Sequence, residues 1–64
     1  MPLIQISLQK GRSPELIADL IKRTTRSVSE TLDVEESKIR VLIYEIEPEH
    51  WGIGGLPASD QNIQ

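Results

Sequence analysis

A chain of 64 residues that contains no cysteine can enclose only a small hydrophobic core, and it cannot strengthen that core with disulfides. Domains of this size usually depend on a cross-link, a metal or association with further chains. The lack of cysteine, together with a single histidine, also argues against a structural zinc site. We therefore predict one domain, residues 1–64, that assembles as an oligomer.

Charge and hydropathy argue against two classes of partner. The net charge of -3 opposes nucleic-acid binding, because a phosphate backbone attracts basic surfaces. No apolar run approaches the roughly 20 residues of a membrane-spanning helix, and the N-terminus lacks the pattern of a signal peptide. We expect no nucleic-acid partner, no membrane partner and a cytoplasmic location.

The hydropathy pattern predicts a strand at each end of a helical segment. From Leu3 to Leu8 the apolar residues alternate with polar ones, which is typical of a strand. A second strand is predicted from Lys38 to Glu47. Apolar residues occupy both of its faces, as in a strand that is buried on both sides.

The segment between the strands carries the signals of a helix over about residues 14–32. Ser13 can cap its first turn, Pro14 has no N–H to leave unpaired, and Glu15 lies at the positive end of the helix dipole. Apolar residues then recur at helical spacing: Leu16, Ile17, Leu20, Ile21, Val28 and Leu32. Residues 33–37 form a polar connector with room for one helical turn.

The sequence after the second strand predicts a short hairpin. Pro48 ends the strand because proline cannot donate to a ladder, and three glycines between positions 52 and 55 permit positive φ angles. Residues 58–64 are polar, and we expect a frayed end there. Parallel strands require a crossover such as this helix. The predicted fold is therefore α+β: a β-α-β protomer with parallel strands and a short C-terminal hairpin, whose sheet is extended by neighbouring copies.

Pro2 is the candidate catalytic residue. Initiator methionine is usually removed before a small residue, which would leave a secondary amine at the head of a strand. An α-amino group titrates near pH 8, and burial or cationic neighbours lower its pKa toward neutrality. A base with such a pKa suits proton abstraction beside a carbonyl. The alternative is that Pro2 is an ordinary second residue.

Arg12, Arg40 and Trp51 are candidate substrate-binding residues. A guanidinium group matches the geometry of a carboxylate, although either arginine could instead be solvated or ion-paired. Trp51, the only tryptophan, can form the wall of a dry site or anchor a core or interface. His50 is interpreted as a surface residue and Tyr44 as structural. No nucleotide-binding, metal-binding or triad motif is present, so we expect no cofactor and no metal.

Taken in order, these segments resemble the 4-oxalocrotonate tautomerase family of the tautomerase superfamily. The resemblance rests on Pro2 after Met1, Gly11-Arg12-Ser13, Ile39-Arg40-Val41 and Trp51-Gly52-Ile53-Gly54-Gly55. It implies a homohexamer, a trimer of dimers, that is an isomerase acting on a small keto or enol acid. It also implies the interconversion of dienol and conjugated keto acids without a cofactor, as in the degradation of aromatic compounds.

The resemblance implies a role for each candidate residue. Pro2 is the catalytic base, and Arg12 binds a substrate carboxylate. Arg40 polarises the carbonyl end and binds the other carboxylate, often across a subunit boundary. Trp51 forms the hydrophobic wall, where the family typically has phenylalanine.

Besides Trp51, which is larger than phenylalanine, two features of the sequence depart from the family pattern. Gln9 stands where the family often has an apolar residue, which predicts a more polar pocket, and residues 60–64 are acidic where the family tail is basic. No acid lies between Trp51 and Pro57, which favours tautomerisation over hydration. Two alternatives are an orphan or biosynthetic member that acts on another enol, and a non-enzymatic assembly module.

Overall fold

Two parallel strands and one helix form the body of the protein in a computed structural model that describes residues 1–61. Strand β1, Leu3–Gln9, lies beside β2, Arg40–Ile46, and helix α1, Pro14–Leu32, connects them. In the register Leu3 pairs with Arg40, and Gln9 pairs with Ile46. The predicted β-α-β order and the parallel strands are confirmed.

Helix α1 has the predicted bounds because both of its ends are capped. Ser13 Oγ accepts a hydrogen bond from the Leu16 N–H at 3.2 Å, which satisfies one donor of the first turn. At the other end Asp33 has a positive φ of 56° and donates its N–H to the Ser29 carbonyl, which stops the helix. Within residues 1–61, no helix has both the length and the apolar character needed to span a bilayer.

The predicted start of the second strand at Lys38 is wrong. Lys38 belongs to a 3₁₀ turn, Glu36–Lys38, in which its N–H donates to the Glu35 carbonyl at 3.0 Å. The Ile39 N–H then donates to the Glu36 carbonyl at 3.1 Å, so β2 begins only at Arg40. Ile39 fits the apolar alternation of β2 although it lies before the strand, which is why the pattern alone begins the strand too early.

Burial of β2 on both faces is also wrong for the single chain. The helix covers one face of the sheet, where Ile4 and Ile6 are half-buried, whereas Leu42 and Tyr44 on the other face remain 41% and 46% exposed. The radius of gyration is 14.7 Å, compared with about 11 Å for a compact chain of this length. A single copy therefore leaves apolar surface available for association.

The C-terminal segment forms the predicted hairpin and is more ordered than expected. Strands β3, Gly52–Ile53, and β4, Leu56–Pro57, are antiparallel. The connecting Gly54 and Gly55 have φ angles of 61° and 92°, as a two-residue turn requires. The frayed end is wrong for residues 58–61, because Ala58 is only 8% exposed and opens a 3₁₀ turn. Residues 62–64 lie outside the described part of the chain.

Candidate active site

Pro2 and Arg40 meet where both strands begin, which we call the amino end of the sheet. The Arg40 N–H donates to the Pro2 carbonyl at 3.0 Å. This main-chain bond fixes the position of residue 2 although it precedes β1. Pro2 is half-buried, whereas Met1 is 83% exposed and projects beyond the sheet. Removal of Met1 would therefore uncover an amine whose position the sheet already defines.

The Arg40 guanidinium is tied to the main chain by one of its nitrogens. Nη1 donates to the Ser37 carbonyl at 2.9 Å and to the Ile39 carbonyl at 3.3 Å. The 3₁₀ turn before β2 supplies the Ser37 carbonyl. Nε and Nη2 remain as donors that an arginine can offer to a carboxylate. Arg40 is exposed in the single chain, so an anion can reach these donors.

The side chains of Pro2 and Arg40 lie on opposite faces of the sheet. Successive side chains of a strand alternate between its faces. Arg40 therefore shares the open face with its register partner Leu3, whereas Pro2 shares the helix-covered face with Ile4. The two residues are neighbours through their backbones, but their side chains do not converge within one copy.

Arg12 and Trp51 both lie beyond the last residues of the strands, at what we call the carboxyl end of the sheet. The Lys10 N–H closes this end by donating to the Ile46 carbonyl at 2.8 Å. Gly11 then turns the chain with a φ of 141°, a conformation that a residue with a side chain rarely adopts. This turn lets Arg12 Nη1 donate to the Gln9 carbonyl at 2.7 Å.

A groove of about 340 Å³ lies beside Arg12. It is lined by Arg12, Pro14, Ile17, Ala18, Ile21 and Glu45. The lining is mostly apolar and contains one cation and one carboxylate, so the groove can receive an apolar group that carries an anionic end. Glu45 gave no functional signal in the sequence, because it reads as a polar residue in an alternating strand.

Trp51 follows β2 and is held by its main chain. Its N–H donates to the Pro48 carbonyl at 3.3 Å, and its carbonyl accepts from the Ala58 N–H at 2.7 Å. Its side chain is half-buried. His50 beside it is exposed, as the sequence predicted. Gln61, which sequence reasoning missed, donates to the carbonyls of the adjoining hairpin.

The candidate residues thus form two groups in one chain. Strand β1 covers six residue steps from Leu3 to Gln9, which corresponds to about 20 Å between the ends of the sheet. The structure brings Pro2 next to Arg40 but separates both from Arg12 and Trp51. Residues 1–61 contain no group of three His, Cys, Asp or Glu side chains that could hold a metal.

A second groove lies on the outer face of α1. It has a volume of about 290 Å³ and is lined by Asp19, Lys22, Arg23 and Arg26. Arg23 Nε and Asp19 Oδ2 form an ion pair at 3.0 Å across one helical turn. This groove contains none of the candidate residues, and we interpret it as the solvated face of the helix.

Comparison with known proteins relates the whole arrangement to one family. Residues 2–61 match the sequence model of the tautomerase family, described as "Tautomerase enzyme". A probable tautomerase of Ralstonia nicotianae is 42% identical over 59 residues, which cover 92% of this chain and 84% of that protein. A probable tautomerase of Staphylococcus epidermidis is 38% identical over 61 residues, which cover 95% of this chain and all of that protein.

Solved structures agree in fold. TomN, a 4-oxalocrotonate tautomerase homologue in the tomaymycin biosynthetic pathway, has a TM-score of 0.90 at 37% identity, over 94% of this chain and 92% of its own. A heterohexameric 4-oxalocrotonate tautomerase from Chloroflexus aurantiacus has a TM-score of 0.90 at 31% identity, over 97% of this chain and 100% of its own. The β-α-β unit with its C-terminal hairpin is therefore the fold of these proteins.

Proposed function

The chain belongs to the tautomerase family, and we propose that it is a cofactor-free keto–enol tautomerase in which Pro2 is the general base. The main-chain bond between Pro2 and Arg40 carries this proposal, because it holds residue 2 at a defined place in front of β1. With Met1 removed, a secondary amine occupies that place. Its lone pair is the proton acceptor, and the ring that carries it is half-buried.

The proposed reaction moves one proton within the substrate. The substrate class is a dienol acid of the 2-hydroxymuconate type, as formed in the degradation of aromatic compounds. Pro2 takes the proton of the 2-hydroxyl group and returns a proton to the distal carbon, so the dienol becomes a conjugated keto acid of the same composition. Arg12 and Arg40 bind the two carboxylates and stabilise the oxyanion charge that develops between them.

A complete site in this proposal is shared between copies of the chain. Arg12 lies about 20 Å from Pro2 along β1, which exceeds the length of a six-carbon acid. The amino end of one copy must then approach the carboxyl end of another. The exposed Leu42 and Tyr44 provide apolar surface for such an assembly, and a homohexamer built as a trimer of dimers is the form we propose.

Trp51 forms the apolar wall of the proposed site. Excluding water strengthens the electrostatic interactions of the arginines and favours the neutral amine. The main-chain carbonyl of Gln9 accepts the Arg12 hydrogen bond, so the backbone of residue 9 lies beside Arg12.

A second candidate function is the tautomerisation of a different enol in a biosynthetic pathway. The similarity to TomN, which is described as a homologue from such a pathway, favours it. The two candidates differ in the number of carboxylates on the substrate. Turnover of a monocarboxylate enol with little turnover of a dicarboxylate dienol supports the second candidate.

The test of the proposal compares three forms of the N-terminus. The natural chain is checked by mass for loss of Met1, and a second form carries two extra residues, Gly-Ser, that keep Pro2 in an amide. The third form is Pro2→Ala. Because a general base contributes about 10²- to 10⁴-fold, we expect the extended form to lose that factor in kcat/KM on 2-hydroxymuconate. Pro2→Ala, which keeps a primary amine, is expected to retain more activity.

The same two residues added at the C-terminus serve as the control for the extension. Circular dichroism and sedimentation confirm that each form folds and assembles alike. Full activity of a chain in which Pro2 is acylated would overturn the role of Pro2. Absence of turnover from every form on both classes of enol would favour a non-enzymatic assembly module.

A further inference from the structure

The C-terminal hairpin has strands so short that its ladder can contain very few backbone hydrogen bonds. Strands β3 and β4 contain two residues each, and Gly52 pairs with Pro57. Bonded and non-bonded pairs alternate along an antiparallel ladder, and the Ala58 N–H donates to the Trp51 carbonyl on one side of this pair. Gly52 and Pro57 therefore form a non-bonded pair, which leaves Ile53 and Leu56 as the only pair of β3 and β4 that can exchange ladder bonds. A two-stranded hairpin is marginal in water even with all of its bonds. Something besides the ladder must hold this hairpin closed.

The side-chain amide of Gln61 supplies further donors to the hairpin. Its Nε2 donates to the Ile53 carbonyl at 3.1 Å and to the Leu56 carbonyl at 3.0 Å, and it lies 3.5 Å from the Pro57 carbonyl. One amide group thus bonds both strands. The Gln61 N–H also donates to the Ala58 carbonyl at 3.1 Å, which fixes the backbone from which the side chain extends.

This arrangement connects directly to Trp51. The Ala58 N–H donates to the Trp51 carbonyl at 2.7 Å, and Ala58 is among the two most buried apolar residues of the described chain, with 8% exposure. Gln61 holds the hairpin and the turn at Ala58, and this turn holds the backbone of Trp51. Loss of the Gln61 donors would allow the hairpin to open and the tryptophan to move.

We infer that Gln61 is a positioning residue for Trp51, acting through a clasp formed by its side-chain amide on the carbonyls of Ile53 and Leu56. The clasp needs a donor, since all its partners are carbonyl oxygens. Glutamate has nearly the same shape but offers only acceptors, and methionine offers no donor. Lysine offers donors on a flexible chain. The kinetic consequence of the clasp rests on the proposed function, whereas the clasp itself does not.

Tryptophan fluorescence tests the clasp without substrate, because Trp51 is the only tryptophan of the chain. Gln61→Glu and Gln61→Met are expected to increase acrylamide quenching and shift the emission to longer wavelength. Gln61→Lys restores a donor and is expected to remain close to the parent. Ser59→Glu, at an exposed position of the adjoining turn, adds the same charge as Gln61→Glu and controls for it. Equal quenching in the parent and all four variants would overturn the clasp.

Steady-state kinetics then test whether the clasp positions Trp51 for substrate. Gln61→Glu and Gln61→Met are expected to raise KM about two- to tenfold, the change that loss of one neutral hydrogen bond produces in an equilibrium. The value of kcat should change less, and Gln61→Lys should recover KM. Changed fluorescence with unchanged KM would overturn the positioning role. A parent without tautomerase activity would contradict the proposed function, while the fluorescence result would still decide the clasp.

Discussion

The two ends of the parallel sheet are built in different ways. At the amino end, a main-chain hydrogen bond of 3.0 Å from Arg40 to Pro2 sets the position of the proposed base. At the carboxyl end, Gly11 with its φ of 141° and the turn after Pro48 place Arg12 and Trp51. One end is fixed by strand pairing, and the other by loops.

Under the proposed function, this difference assigns proton transfer to the amino end and substrate selection to the carboxyl end. Strand pairing leaves little freedom in the placement of Pro2, which suits a group that must transfer a proton over a short distance. Loops tolerate changes of sequence and length, which suits the groups that select a substrate. Because the two ends lie about 20 Å apart in one copy, they can be altered and recombined separately.

Mixed oligomers give the largest expected effect and test whether the two ends act together across copies. Pro2→Ala damages only the amino end, and Arg12→Ala damages only the carboxyl end. Each variant alone should lose about tenfold or more in kcat/KM. Co-expression should restore about a quarter of the parent activity, since random pairing joins an intact amino end to an intact carboxyl end at that frequency.

The matched control for this mixture contains no chain with an intact amino end. Co-expression of Pro2→Ala with the double variant Pro2→Ala, Arg12→Ala should restore nothing. The activity of the mixed oligomers can instead equal the average of the two separate variants. That result would show that each site lies within one copy of the chain. Differently tagged chains and tandem purification verify that mixed assemblies are being measured.

The sequence predicts elements well where the signal is local. Ser13 and Pro14 mark the start of α1 by their own chemistry, and the helix begins there. The prediction that Lys38 begins a strand is wrong because the 3₁₀ turn there depends on the carbonyls of Glu35 and Glu36, whose bonds leave no trace in the hydropathy pattern. The pattern also predicts burial of Leu42, which lies on a face that one copy of the chain does not cover.

The candidate site is less accessible to sequence reasoning than the fold. Residue types at Pro2, Arg12 and Arg40 suggest an amine base and carboxylate binding, and the predicted strand between Pro2 and Arg12 already separates these two. Spacing along the chain does not reveal the strand register that joins Pro2 to Arg40 by a main-chain bond. Gln61 was read as part of a frayed polar end. Its role depends on carbonyls eight and five residues earlier, which come together only in the folded hairpin.

Substitution of the arginines gives an intermediate effect that depends on the substrate. Arg12→Ala removes charge-assisted hydrogen bonds from the carboxyl end, each worth about 1.5–3 kcal/mol, so KM for a dicarboxylate dienol should rise roughly 10- to 150-fold. The KM for a monocarboxylate enol should rise much less, because Arg40 alone can bind its single carboxylate. Arg12→Lys keeps the positive charge but loses the planar guanidinium that binds a carboxylate with two hydrogen bonds. Its KM should therefore lie between those of Arg12→Ala and the parent.

Paired measurements of the two substrates separate recognition from folding. A misfolded Arg12→Ala protein would lose both activities equally, so an unequal loss is the informative result. Equal losses from a protein that sediments and unfolds like the parent would contradict the assignment of Arg12 to one carboxylate. Arg23→Ala, on the outer face of α1, removes a cation that belongs to neither end and should leave both activities unchanged.

The smallest expected effect concerns the ion pair that spans the carboxyl end. Lys10 Nζ lies 3.2 Å from Glu47 Oε1, but the two side chains are 59% and 52% exposed. Exposed pairs contribute about 0.2–1 kcal/mol because water and salt screen them. The neighbouring bond from the Lys10 N–H to the Ile46 carbonyl at 2.8 Å does not depend on the side chain and should persist. Lys10→Met and Glu47→Gln should therefore each change the free energy of unfolding only slightly.

A double-mutant cycle in denaturant, repeated at low and high salt, measures the coupling between these two side chains directly. We expect a coupling energy below about 1 kcal/mol that falls further at high salt, with kcat/KM unchanged. A coupling well above this range would mean that the pair is covered in the assembled protein, since burial strengthens an ion pair by lowering the local dielectric. The carboxyl end would then be held by a packed interface with another copy, and its loops would be as constrained as the strand-paired amino end.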